Sequence, residues 1–339
     1  MIVDLRSDTV TRPSKEMLDY MMSAPTGDDV FSEDPTVNQL QHYAAELFGM
    51  EDALYCSSGT QTNQIAINVH TQPGDEVICS SLSHIYLYEG GGVALNSLCS
   101  MAMIEGDRGR LNAAQVKNMI NPDDIHRPIS RLVSLEDTVN KGGGAVYDFD
   151  EIKKIKSLTS QHALGLHCDG ARLFNALHVN GLTPAQYAEP FDSISICLSK
   201  GLGAPVGSIL LGKKDFIIKA RRRRKSFGGG MRQAGIIAAA GLYALQNNVE
   251  RLKEDHKNAK IIASELINLS WVKSIMPVDT NIVIFSIHKE NGAAEYVEKL
   301  KSKGILCFPF GPDKIRMVTH LDLVDDHFQY LFESLKTIS

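Results

Sequence analysis

The sequence predicts an α/β protein with a parallel or mostly parallel sheet, followed by a smaller α+β unit. Three observations predict it. Helical and strand-like patterns alternate from about residue 36. The strand-like runs are short and apolar throughout, as strands covered on both faces are. After the long helical stretch at 231–268 the order changes to β-α-β-β-α.

The elements follow in order. "TVNQLQHYAAELFG" (36–49) carries apolar residues at helical spacing and stops on Gly49, a helix with a glycine end signal. "DALYCSSGTQTNQIAINVHT" then reads as a short strand, a Ser/Gly/Thr turn and an amphipathic helix. Further buried strands are "DEVICSS" (75–81), "RLVSLED" (131–137), "ALGLHCDG" (163–170), "SISICLSK" (193–200) and "GSILLG" (207–212). The last unit is built from "NIVIFSI", "GAAEYVEKLKSKG", "ILCFPF", "KIRMVTH" and "DDHFQYLFESLKTI".

Composition narrows the function classes. Of 339 residues, 43% are hydrophobic and 22% charged, the balance of a globular chain large enough for more than one core. The net charge of -5 gives no overall field for a polyanion. The start "MIVDLRSDTVTRP" lacks an apolar signal-peptide core, and the longest apolar run, "AGIIAAAGLYAL" (234–245), is too short for a bilayer. These features lead us to expect a cytoplasmic protein with no membrane partner. The six cysteines form no C-x-x-C pair, so buried free thiols are expected. The histidines show no H-E-x-x-H or tight Cys/His cluster, and no metal is expected.

Ligands of open α/β sheets collect beyond the carboxyl ends of strands. Three such ends carry chemistry here. In "YCSSGTQTNQ" (55–64), Ser58, Gly59 and Thr60 precede a helix, whose free N–H groups and dipole suit a phosphate-sized anion. In "LHCDGARLFNA" (166–176), Asp169 ends an apolar strand and needs a cation, a metal or a protonated heterocycle, with Arg172 as the local alternative partner. In "ISICLSKGLGAPVG" (194–207), Lys200 ends the next strand, 31 residues on, about the chain length of one parallel crossover. An amine, a strand-end acid and an anion-binding helix in this order point to pyridoxal phosphate.

At these residues the sequence resembles the threonine aldolases of the β-eliminating lyase group, pyridoxal phosphate enzymes with the aspartate aminotransferase-like fold (fold type I). The resemblance rests on "DLRSDTVTRP" (4–13), "GDDVFSEDPT" (27–36), "SSGTQTNQ" (57–64), "SHIYLYEGG" (83–91), "IHRP" (125–128), "HCDGARLFNA" (167–176), "CLSKGLGAPVGS" (197–208), "FGGGMRQAG" (227–235) and "IRMVTH" (315–320). It implies an N-terminal arm (1–15) reaching the site, a large cofactor-binding domain (16–248) with a mostly parallel seven-stranded sheet, and a small α+β domain (249–339). By the same resemblance, Lys200 would hold the cofactor covalently, and Asp169 would pair with its ring nitrogen. Arg172 would approach the ring hydroxyl and the substrate carboxylate, while Ser58, Gly59 and Thr60 would bind the phosphate. His84 would lie over the ring. Ser7 and Arg316 would clamp the substrate carboxylate, and His126 would stand near the substrate hydroxyl. The implied reaction cleaves L-threonine or L-allo-threonine between Cα and Cβ, giving glycine and acetaldehyde, with His84, His126 or a water they hold as base. The substrate is thus a small β-hydroxy amino acid.

Four residues in two segments depart from the family pattern. Asp137 and Val139 in "EDTVN" stand where asparagine and histidine are usual, and Phe31-Ser32 where tyrosine and glycine are common. These departures bear on threo versus erythro discrimination. The run "RRRRK" (221–225) could mark nucleic-acid binding, but without interleaved aromatics a solvated or subunit-facing helix is expected, and no nucleic-acid partner. The following "GGGMRQ" implies a homo-oligomer, dimer or tetramer, with its site at a subunit interface and Arg232 reaching a neighbour's cofactor phosphate. β-Elimination and transamination are alternative reactions on the same scaffold.

Overall fold

The computed structural model describes residues 1–289 and 292–338. The chain starts with a two-residue strand, β1 (Val3–Asp4). Seven strands then build one sheet: β2 (Asp52–Cys56), β3 (Glu76–Ser80), β4 (Ser100–Ile104), β5 (Ser130–Glu136), β6 (Gly165–Gly170), β7 (Ser193–Cys197) and β8 (Ser208–Gly212). Their order is β2-β8-β7-β6-β5-β3-β4. All neighbours pair parallel except those of β8, which runs antiparallel to β2 and to β7. The carboxyl ends of the other six strands therefore share one rim. This is the mostly parallel seven-stranded sheet of the expected fold class.

Five more strands follow: β9 (Val272–Ile275), β10 (Ile282–Ile287), β11 (Ile305–Leu306), β12 (Phe308–Pro309) and β13 (Lys314–Val318). Four of them form an antiparallel sheet ordered β12-β13-β10-β9. The sequence reading missed β9 and β4 and took β11 and β12 as one strand. β4 is exposed or half exposed along most of its length and its run Met101–Ile104 has a single β-branched residue, while β9 carries the polar centre Lys273-Ser274.

Each of these two sheets has its own large apolar cluster. The larger, from Met17 to Leu252, covers one face of the seven-stranded sheet, and smaller clusters that include Leu54 and Val77 cover the other. The second large cluster joins the small sheet and its helices from Ala259 to Ile338, and it also includes Val3 and Leu5. β1 pairs parallel with β11, and Leu5 gives its carbonyl to Val318 N at 2.9 Å. The first residues of the chain are thus built into its last hundred. All six cysteines are buried and free, and among the described residues no helix is long and apolar enough to cross a membrane.

One residue shows how the large layer is fastened. Asp34 is fully buried and caps the helix Pro35–Phe48. Its Oδ1 accepts from Thr36 N and Val37 N, and its Oδ2 from Gly27 N and Gly235 N. It ties the start of one helix to the start of another, Gly235–Asn247, two hundred residues away. Replacing it by alanine leaves four N–H groups without this acceptor. Asp34→Ala is expected to cost about 3 kcal/mol or more, read as a lowered urea midpoint with unchanged slope.

Candidate active site

The shared rim collects one group after each of five strands. After β2, the helix Gly59–His70 begins with Ser58 as its cap, whose hydroxyl accepts from Gln61 N at 3.2 Å. The N–H groups of Gly59 and Thr60 open the helix and have no partner within it. Gly59 must be glycine, because a Cβ there would stand 2.6 Å from Cys197 Sγ. After β3 comes His84, whose N–H reaches Glu136 Oε2 at 2.7 Å and whose Nδ1 lies 2.8 Å from Glu89 Oε1. Glu136 ends β5, and Asp169 lies at the end of β6. Lys200 follows β7, three residues beyond its end at Cys197 rather than on the strand itself.

The N-terminal arm and the small sheet close the other side. A cavity of about 370 Å³ is lined by Ser7, His84, Arg172, Lys200, Phe310 and Arg316 among others. Asp8, fully buried, takes Arg172 Nε on Oδ2 at 2.8 Å and Arg172 Nη2 on Oδ1 at 2.6 Å. Burial opposes the Asp8 charge, but the charge and hydrogen bonds of Arg172 win, and its pKa falls to about 2. Thr11 Oγ1 donates to the Lys200 carbonyl at 3.1 Å, so the arm also holds the lysine's backbone.

Arg316, half-buried, differs from the fully buried Arg172 and Arg224. Its Nη1 donates to Asn140 Oδ1 at 2.9 Å and its Nη2 to the Arg6 carbonyl at 3.2 Å, while its Nε is buried without a partner. Among the described residues no carboxylate stands within ion-pair distance of it. Burial, and then the Arg172 charge, lower its pKa to about 10. It is an anion site by construction.

Asp169 resolves the choice left by the sequence. Its local alternative, Arg172, is committed to Asp8, and Asp169 instead accepts from Asn63 Nδ2 at 2.9 Å and Ala171 N at 3.2 Å. That leaves the acid without a cation of its own. His84 is shifted the other way: burial disfavours its charge, yet the Glu89 hydrogen bond and the charges of Asp169 and Glu89 outweigh this and raise its pKa. Burial and the Asp169 charge raise that of Glu136.

The residues present fit pyridoxal phosphate. The open helix terminus suits the phosphate; Asp169, lacking a cation, suits a protonated ring nitrogen; the Lys200 amine faces the cavity; and the buried, unpartnered Nε of Arg316 awaits an anion.

Two expected site residues are not brought here. His126 is exposed, with Nδ1 on its neighbour Asp124 at 2.8 Å, in the connection that leads into β5. It therefore lies at the amino end of β5, and a seven-residue strand spans roughly 20 Å. On its own chain it sits at the wrong edge of the sheet to act as base. Arg232 is likewise exposed and paired with Asp28 at 2.8 Å, away from the cavity of its own chain. The family departures also fall elsewhere. Asp137 Oδ2 accepts from the Tyr187 hydroxyl at 2.5 Å in the core, where burial lifts the Asp137 pKa to about 7, Val139 is fully buried, and Phe31 is exposed. From that segment only Asn140 lines the cavity. Within "RRRRK", Arg224 is buried against Asp29 and the Tyr55 carbonyl. Sequence reasoning missed Asp8, Asn63, Glu89, Glu136 and Asn140. All five stood inside quoted stretches, but nothing local named their partners.

Comparison with known proteins agrees with this geometry. The family model described as β-eliminating lyase matches residues 4–290. The low specificity L-threonine aldolase of Escherichia coli is 46% identical over 95% of both chains. A probable low-specificity L-threonine aldolase 2 of Arabidopsis thaliana is 39% identical, covering 99% of this chain and 97% of the relative. Among solved structures, a threonine aldolase of Leishmania major superposes with a TM-score of 0.84 at 23% identity over 98% of each chain. A putative L-allo-threonine aldolase of Listeria monocytogenes gives 0.83 at 19% identity, over 99% and 96%. The two structural likenesses establish the fold.

The buried pair sets an acid response. Because the folded pKa of Asp8 lies below its ordinary 3.8, its contribution is fully present above about pH 4 and is lost as pH falls toward 2. Asp8→Asn is expected to lower stability at pH 7 by about 3 kcal/mol and to flatten the fall between pH 4 and 2, as measured by urea unfolding across that range.

Proposed function

From the chain's place in the β-eliminating lyase family, to which it belongs, we propose that it is a pyridoxal phosphate-dependent aldolase. It cleaves L-threonine or L-allo-threonine to glycine and acetaldehyde. The single observation that carries the reading is Arg316, half-buried with no carboxylate partner among the described residues, lining one cavity with Lys200 and His84. Pyridoxal phosphate, when bound, supplies a sink for the electron pair left at Cα as a bond to that carbon breaks.

The chain's own residues do the rest. Lys200 offers the amine that holds the cofactor. Ser58, Gly59 and Thr60 present the helix terminus to its phosphate, and Asp169 sets a negative charge for its ring nitrogen. Arg316, with Ser7 beside it, binds the substrate carboxylate and so fixes which Cα bond is oriented for cleavage. Arg172, already charge-balanced by Asp8, can add a hydrogen bond without adding net attraction. His84, held through Nδ1 by Glu89, accepts the β-hydroxyl proton, directly or through a water. As the aldehyde leaves, that proton stays on the imidazole, which the two nearby carboxylates favour.

Transamination and β-elimination use the same scaffold. The reading here favours retro-aldol cleavage because a histidine braced by a carboxylate stands ready for a substrate hydroxyl proton. A homo-oligomer with shared sites is also part of the proposal. Ile125, which adjoins His126, is 98% exposed. A partner copy that covers this face could bring its His126 to a site that its own chain's His126 cannot reach.

The test is direct. The holoenzyme should absorb in the visible and release acetaldehyde and glycine from threonine, and Lys200→Ala should lose both properties. Pyruvate and ammonia from serine, with no acetaldehyde from either diastereomer, would refute the aldolase. His84→Ala should lower kcat about a hundredfold or more. The raised pKa of His84 adds a pH signature. Activity that needs the neutral imidazole should rise with pH through a midpoint above 6.5, the unperturbed value. Glu89→Gln removes the first of the effects that raise it, so the rising limb should move to lower pH.

A further inference from the structure

A row of buried polar side chains leads away from Asp169 through the sheet. Asn63, 1% exposed, gives one amide hydrogen to Asp169 Oδ2 and the other to Glu89 Oε1, each at 2.9 Å. Its carbonyl oxygen lies 3.2 Å from His167 Nε2. His167 precedes Asp169 by two residues on β6, hence on the same face of the sheet. Its Nδ1 is 2.8 Å from Ser193 Oγ, which is also 2.8 Å from His70 Nε2.

One assignment of the ring protons gives every contact in this row a donor and an acceptor. A reversed Asn63 amide would set its oxygen against two carboxylates, so Oδ1 faces His167 and can only accept. His167 Nε2 must then carry a hydrogen. Burial and the neighbouring His70 lower the His167 pKa to about 3, so the ring is neutral and its Nδ1 is bare. Ser193 fills that acceptor with its hydroxyl hydrogen. Its own oxygen then accepts from His70 Nε2–H, and burial keeps His70 neutral too, with a pKa lowered to about 4. Every hydrogen in the row points toward Asp169 and Glu89, and aligned bonds of this kind polarise one another.

We propose that Asn63 is a positioning residue of the site, locked by His167, Ser193 and His70 so that its one amide holds both carboxylates. One of these acids faces the cofactor ring nitrogen and the other orients His84. The proposal rests on the pyridoxal phosphate reading above. Its physical content lies in the crowding: His84, Glu89 and Asp169 have polar atoms within 4.8 Å of one another. Two carboxylates that close repel, and one amide that gives an N–H to each bridges them and offsets part of that repulsion. The carboxylates set which way the amide points, and a hydrogen bond to its oxygen from behind holds it in place, which is the task of the histidine-serine-histidine row.

The experiment uses the full-length holoenzyme carrying ¹⁵N-labelled histidine and ring-¹⁵N pyridoxal phosphate. His167 and His70 are expected as neutral Nε2–H tautomers; an Nδ1–H or protonated ring at His167 overturns the proposal. Ser193→Ala touches neither cofactor nor substrate. It should move the cofactor's ring-nitrogen resonance toward the unprotonated position and lower kcat several-fold at unchanged KM, and Ser193→Thr should restore both. Asn63→Ala should weaken cofactor binding about tenfold or more. A Ser193→Ala enzyme with the wild-type resonance and kcat overturns the positioning role while leaving the cofactor reading intact. Wild-type protein that takes up no cofactor overturns both.

Discussion

The buried pair between Asp8 and Arg172 is the constraint on which the site depends. Asp8 belongs to the N-terminal arm, Arg172 follows β6 of the large sheet, and Asn281 Nδ2, next to β10 of the small sheet, reaches the same Asp8 oxygen at 3.4 Å. Three segments far apart in sequence thus meet at one carboxylate. The arm that carries it is anchored at its other end by β1 against β11. Ser7, the Lys200 backbone and the Arg6 carbonyl under Arg316 all take their places from this crossing. A buried ion pair is weak evidence of stability, since desolvation offsets much of its attraction. Its role here is to fix geometry, because either member alone would be an uncompensated charge in the interior.

Pairing Arg172 also decides where charge remains. With Asp8 opposite it, Arg172 has little net attraction left for an incoming anion. Arg316 has no such partner, and burial together with the Arg172 charge makes its cationic form costly in the free protein. A carboxylate arriving at Arg316 relieves that cost, so the attraction is concentrated on one guanidinium. The acids lie on the other side: Asp169, Glu89 and Glu136 are buried around His84, fed by N–H donors rather than by cations. A ring with a positive nitrogen and a negative phosphate suits a site whose buried acids and open helix terminus are separated in this way.

How much of this was legible in the sequence depended on range. Strands buried on both faces, the antiparallel β8 among them, could be read directly at β3, β5, β6, β7 and β8, whereas the edge strands β4, largely exposed, and β9, with a polar centre, could not. Pro309 cannot donate to a ladder, which suits the edge position of β12 and hid the break after β11. Lys200, Asp169 and Gly59 were found because strand ends are where ligands gather. Asp8 with Arg172, or Asn63 with Asp169, are pairings across more than a hundred residues that no local spacing encodes. His126 shows the opposite failure: a motif identifies a residue but does not say at which end of its strand it stands.

The sheet topology accounts for both what gathers at the rim and what lies behind it. β2, β3, β5, β6 and β7 point the same way, so the helix terminus at Gly59, then His84, Glu136, Asp169 and Lys200 arrive at one edge in chain order. The reversed β8 adds no rim group and instead backs the site, its Ser208 bonding to Cys197 Sγ at 3.3 Å, the atom against which Gly59 is packed. A parallel sheet also sets the amino halves of the same strands directly beneath. Ser193 opens β7 and His167 lies within β6, so a row of neutral polar groups can run along the strands from the far edge toward the acids. Such groups would be a liability in an apolar core unless each was satisfied. Here each donor finds the next acceptor, and the row ends on carboxylates that need hydrogens.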